Sequence, residues 1–238
     1  MENNNQSKTL KSAFLVCPGY MPTDIIGAHS ALGFLPNTDV HLVWKSLEPV
    51  IGFPTFPTIP TTTFTDCPED LDILCVGAIP SNVLEDRETI DFFKKHAARG
   101  CHIMGICGGS LLLGAAGLLI GRRATSNFHS TEQLAQFGAV PVVTTRVVVD
   151  GNFYTAGPFT GAVDAALLLI AKLRGQEMAE FAELSAEYDP HPPFGCGNPQ
   201  TARPELVAAA KGMFAQTVRE NVEAAYRAFV KIRGQIND

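Results

Sequence analysis

This 238-residue chain lacks most of the features that mark a specialised partner or cofactor. Positive charge is not in excess: 18 Lys and Arg stand against 24 Asp and Glu, giving a net charge of −6. The basic residues are spread along the chain, which argues against a nucleic-acid footprint. None of the six cysteines (Cys17, Cys67, Cys75, Cys101, Cys107 and Cys196) belongs to a CxxC pair or a Cys/His group at zinc-ligand spacing. Their scatter suits a reducing compartment better than a disulfide framework. Long apolar runs are missing too, since Arg122 and Arg123 end the longest candidate, residues 111–120. The segment Met1–Ser12 is polar and Asn-rich and has no apolar stretch of the secretory kind. No glycine-rich stretch matches a dinucleotide or Walker loop. The expectation is a soluble cytoplasmic enzyme for a small molecule, with no cofactor, no metal, no membrane and no nucleic-acid partner.

What remains is a core-rich chain, 46% hydrophobic and 18% charged. Residues 1–11 read as a disordered tail and 12–238 as one domain. Short apolar strands are expected at Ala13–Cys17, Val40–Trp44, Leu71–Val76 and His102–Ile106. Helices are expected at Ile25–Leu35, Arg87–Ala98, Gly109–Leu119, Thr131–Phe137 and Gly161–Leu173. Arg146–Val149 and Phe153–Ala156, joined at Asp150-Gly151, spell a hairpin. A long amphipathic helix covers 205–232. Its stripe of Phe214, Val218, Val222, Ala225 and Phe229 fits either the domain's own surface or a second subunit. Strands alternating with helices predict an α/β fold with a mostly parallel sheet covered on both faces.

The most informative residue is Cys107, in Gly105-Ile-Cys-Gly-Gly-Ser110. This is the thiol form of a nucleophile elbow, a sharp strand-to-helix turn that lifts one side chain above a helix N-terminus. The expectation there is an exposed, oriented nucleophile with a lowered pKa. Asp24 follows the first strand. It fits an N-cap of the next helix, or a carboxyl beside the sulfur whose pKa is raised and which acts as general acid. His129 is the histidine best placed to serve instead. Backbone N–H groups of Gly77, Ala78 and Gly108 are candidates for an anion-stabilising pocket. Asp24, Gly77 and Cys107 all follow predicted strands, where open parallel sheets place their sites.

Together these residues resemble the DJ-1/PfpI superfamily and, within it, the isocyanide hydratases. The resemblance runs over residues 13–207. It shows in Phe14–Gly19 with Thr23-Asp24-Ile25, His41–Lys45, Thr61–Pro68, Leu71–Val76, Cys107–Ser110, Leu113–Leu119, Gly121–Thr125 and Glu187–Pro190 before Pro192-Pro193-Phe194. It implies a flavodoxin-like three-layer sandwich that pairs as a homodimer. It further implies Cys107 as nucleophile, Asp24 as the adjacent carboxyl, and hydration of an isocyanide to a formamide through a thioimidate. Another Cys/Asp hydratase or hydrolase reaction, or a redox-sensing thiol, is the alternative. Pocket residues by this resemblance are Ile25, Ser126, Asn127, Pro158, Phe159 and Thr160. The chain departs from the hydratase pattern in having Gly108 in place of Thr and Ser126-Asn127-Phe128 in place of Thr-His-Trp. It also has Gly157–Thr160 in place of a glycine run followed by Ile. Phe159 is expected to shrink or reshape the cavity near the sulfur.

Overall fold

Short β-rich apolar segments bounded by Gly, Pro and Asp are too brief for buried helices and settle as strands. The computed structural model describes residues 8–234. In chain order its strands are β1 (Leu10–Leu15), β2 (Thr38–Trp44), β3 (Val50–Gly52), β4 (Phe56–Thr58), β5 (Thr62–Thr63), β6 (Ile73–Val76), β7 (His102–Ile106), β8 (Arg123–Ala124), β9 (Val140–Pro141), β10 (Val147–Asp150) and β11 (Phe153–Ala156). Its helices are α1 (Ile26–Gly33), α2 (Ser81–Leu84), α3 (Arg87–Ala98), α4 (Gly109–Ala115), α5 (Thr160–Arg174), α6 (Gln176–Ser185) and α7 (Pro204–Gly234). Pro22–Asp24 and Glu132–Phe137 form 3₁₀ turns.

Seven strands make one sheet in the order β10-β11-β7-β6-β1-β2-β5. Every pairing in it is parallel except β10 with β11. Helices α1, α5 and α6 pack on one another, and α2, α3, α4 and α7 form a second group, so both faces are covered. This is the expected flavodoxin-like sandwich. Burial on both sides explains why β6 reads as an uninterrupted apolar run: Ile73, Leu74, Cys75 and Val76 are all 0% exposed.

Several boundaries differ from expectation for identifiable reasons. Residues 1–7 of the expected tail lie outside the described residues. Its last two residues are strand, because Leu10 and Lys11 pair in parallel with Thr38 and Asp39 of β2. Helix α4 stops at Ala115 rather than Leu119, since Gly117 takes a left-handed φ of +71°. Residues 132–137 coil as 3₁₀ rather than α. Helix α6 was not anticipated. On α7, Val222, Ala225 and Phe229 are buried in the domain, whereas Met213 and Phe214 are exposed. The apolar stripe therefore divides between the domain's own core and open surface.

Candidate active site

Four neighbouring strands, β11, β7, β6 and β1, end on the same edge of the sheet. The segments that leave them carry Phe159, Cys107, Ala78 and Asp24. From β1 the sheet extends to β2 on one side and β6 on the other, which is the crevice where such sheets bind ligands.

Cys107 joins β7 to α4 with φ of +56°, a left-handed conformation that an L-residue holds only under constraint. Its N–H donates to Ala156 O at 2.8 Å, and the Ser126 hydroxyl donates to its carbonyl at 2.5 Å. Glycine at 109 lets the turn press against β6. A Cβ there would stand 2.3 Å from Val76 O and 2.7 Å from Gly77 O. Cys17, Cys67, Cys75 and Cys101 are buried and Cys196 is exposed, while Cys107 is half-buried.

Asp24 is 1% exposed and does not cap α1, whose N-cap is Ile25 with no side-chain bond. Its Oδ2 accepts from Ala78 N–H at 3.0 Å and its Oδ1 from Phe159 N–H at 3.2 Å. Gly77 makes room for this carboxyl, since a Cβ at 77 would meet Asp24 Cβ at 2.6 Å. Burial raises the Asp24 pKa against the pull of those two N–H groups. Burial, then the charge of Asp24, pushes the Cys107 thiol up to about 12, with Asn127 and Gly108 N–H acting the other way. The expected lowering is therefore overturned. Desolvation and the neighbouring carboxyl, neither of them written in the local motif, act against it. Because hydrogen bonding and charge couple the sulfur to Asp24, the two groups titrate as a pair.

The other expected residues fall into three groups. Asn127 touches Cys107 directly, its Nδ2 lying 3.4 Å from Sγ. Ser126 holds the Cys107 backbone rather than facing outward, and Ile25 is buried against the Gly77 position. Ala78 is not a free donor, because Asp24 takes its N–H, and the Gly108 N–H acts on the sulfur. His129 contributes its backbone N–H to Asn127 Oδ1, while its ring packs on Phe128 and Phe214 at 3.8 and 5.2 Å. Burial and then Lys211 lower the pKa of that ring.

Phe159, with φ of +59°, aims its N–H at Asp24, and its residue surface is 60% exposed. Pro158 O and Thr160 Oγ1 both accept from the Arg146 guanidinium. Arg146 also pairs with Asp164 at 3.2 Å, and Tyr188 O–H donates to Asp164 Oδ1 at 2.7 Å. This clamp on the first turns of α5 was missed by sequence reasoning. The only signal was the Glu187–Pro190 motif, whose role is invisible without the fold.

Comparison with known proteins agrees with this geometry. The DJ-1/PfpI family profile matches residues 11–172. An isonitrile hydratase of Pseudomonas putida is 41% identical over 225 residues, 94% of this chain and 98% of that protein. A crystal structure of a ThiJ/PfpI family protein from Pseudomonas syringae superposes with a TM-score of 0.86 at 38% identity, covering 91% of this chain and 90% of that one. Drosophila melanogaster DJ-1beta shares the fold at a TM-score of 0.68 and 22% identity, covering 75% of this chain and 98% of its own. With the sheet, the family match over residues 11–172 and the 41% identical relative in accord, the chain belongs to the DJ-1/PfpI family.

Proposed function

We propose that the protein hydrates an isocyanide to an N-substituted formamide through a thioimidate on Cys107. Asp24 takes the thiol proton as Sγ bonds to the terminal carbon of R–N≡C. It returns the proton to that carbon, giving R–N=CH–S–Cys107. Water then adds to the same carbon, with one proton passing through Asp24 to nitrogen. The C–S bond breaks, sulfur regains a proton, and R–NH–CHO leaves. One water is consumed and no electrons change hands.

The observation that carries the reading is the coupled Cys107–Asp24 pair within a chain 41% identical to an isonitrile hydratase along almost its whole length. Burial raises the Asp24 pKa, which suits a carboxyl that takes a proton from sulfur and gives it back. The alternative of a redox-sensing thiol is distinguished by peroxide treatment with mass spectrometry for sulfinic acid on Cys107. Another small C–N or carbonyl electrophile is distinguished by a nitrile, amide and α-dicarbonyl panel.

The test is direct assay of formamide from an alkyl or aryl isocyanide, with mass spectrometry for an adduct on Cys107. Turnover surviving in Cys107→Ala ends the covalent reading. We further propose that the enzyme works in the cytoplasm as a homodimer. The exposed Leu206, Met213 and Phe214 on α7 form an apolar strip suited to a second copy. Light scattering giving a monomer mass refutes the dimer.

A further inference from the structure

The turn at residues 126–131 grips the nucleophile at two atoms. Ser126 Oγ donates to the Cys107 carbonyl, and Asn127 Nδ2 points at its sulfur from 3.4 Å. An amide side chain offers either an acceptor or a donor face, and here the choice is made by the backbone. Asn127 Oδ1 accepts N–H bonds from His129 at 3.1 Å and Ser130 at 3.0 Å. The main chain of Asn127 is held as well, its carbonyl accepting from Thr131 Oγ1 at 2.9 Å. With Oδ1 occupied, the NH₂ group is left to face Cys107.

We propose that Asn127 is a catalytic residue, a fixed neutral donor that stabilises the sulfur anion as the thiol gives up its proton. The inference rests on the covalent role of Cys107. An amide cannot gain or lose a proton in the working range, so its donor presents the same face at every pH. A side chain at 108 would intrude on this arrangement: a Cβ there would lie 3.3 Å from Ala78 Cβ and 4.0 Å from Asn127 Nδ2. Position 108 is thus tight against Ala78 and in ordinary contact with the Asn127 amide.

The charged group acting on the sulfur is Asp24, from the turn after β1. Cys75 on β6 feels Asp24 but is held protonated by burial. The ring of His129 is turned to Phe128 and Phe214, with Lys211 of α7 beyond it. Asn127 and Gly108 N–H are therefore the groups favouring the anion, against burial and Asp24.

The experiment is the rate of Cys107 alkylation by iodoacetamide against pH, read by peptide mass spectrometry on the full chain. Asn127→Asp keeps an oxygen for the His129 and Ser130 N–H groups but replaces the donor with a second oxygen. Asn127→Leu removes donor and acceptor together. Both profiles should move to higher pH by about one unit, so that alkylation at pH 8 falls by roughly tenfold. Profiles coinciding with wild type in both variants overturn the proposal. If neither variant folds, wild-type protein decides. The Asn127 side-chain amide resonance should move when Cys107 is alkylated, and an unmoved resonance overturns the proposal. Isocyanide turnover persisting in Cys107→Ala would instead overturn the covalent reading beneath it.

Discussion

Replacing Gly109 with Ala adds one methyl group at the most crowded contact of the elbow. That Cβ would sit 2.3 Å from Val76 O, 2.7 Å from Gly77 O and 2.9 Å from Val76 C. All three are backbone atoms at the end of a central strand, so no side chain can swing away. Restoring ordinary contact demands a separation of roughly 1 Å between α4 and β6. Overpacking of this kind destabilises by about 1–3 kcal/mol. Ala is favoured over Gly by roughly 1 kcal/mol inside a helix and by less at its first residue, so the clash prevails. For a chain of this size the melting temperature should fall by about 3–10 °C. The same displacement moves Cys107 relative to Asp24, and an error of about 1 Å in a reacting pair lowers turnover by roughly a hundredfold. The matched control is Gly33→Ala at the end of α1, where no atom lies within 4 Å of the new Cβ. That variant should be neutral or slightly stabilised. Scanning calorimetry and formamide production test both. A Gly109→Ala protein melting at or above wild type with full turnover refutes the packing argument.

Other outcomes follow from the same coordinates. Cys107→Ala and Asp24→Asn should each abolish most formamide production while remaining folded by circular dichroism. Because the folded Asp24 pKa lies above its unfolded value, the unfolded chain ionises first as pH rises. Its contribution is absent in acid below the unfolded carboxyl pKa and becomes destabilising as pH climbs through the folded value. Urea titrations of wild type and Asp24→Asn should thus show wild type losing stability relative to the variant over that window. A constant difference across pH contradicts the shift. Tyr188→Phe deletes the hydroxyl that bonds Asp164 and should cost about 1–2 kcal/mol by urea unfolding; an unchanged midpoint counts against the clamp. Asp86→Ala removes the α3 N-cap that accepts from Thr89 N–H at 2.8 Å, and should cost about 1–2 kcal/mol without altering turnover.

The parts of this protein that could be read from its sequence are those whose signal is local. Glycines around Cys107 announce a strained turn whatever surrounds it, and the apolar run of Ile73–Val76 announces a strand buried on both sides. Arg87–Ala98 is legible to the residue because its apolar spacing stands out against charged neighbours. Asp24 was ambiguous, since a cap and an acid look alike until the carboxyl's partners are known. Those partners, Ala78 and Phe159, lie 54 and 135 positions away. The direction of the Cys107 pKa was misjudged for a related reason: the helix N-terminus is written in the neighbouring residues, whereas the burial opposing it is not. Helix α6 is hard to read because it buries the small Ala179 and Ala182 and leaves its large apolar residues, Phe181 and Leu184, exposed. The α4 boundary slipped because Leu118 and Leu119 continue an apolar run past the Gly117 that ends the helix.

The bond from Phe159 to Asp24, closing across 135 positions, also bears on how the protein comes into being. Contacts between distant parts of a chain form late, because ordering the intervening loop opposes them until other structure has shortened it. Secondary structure measured during refolding should return before catalytic competence. A nascent chain still lacking Phe159 would carry its thiol and its acid yet have no means of holding them in register.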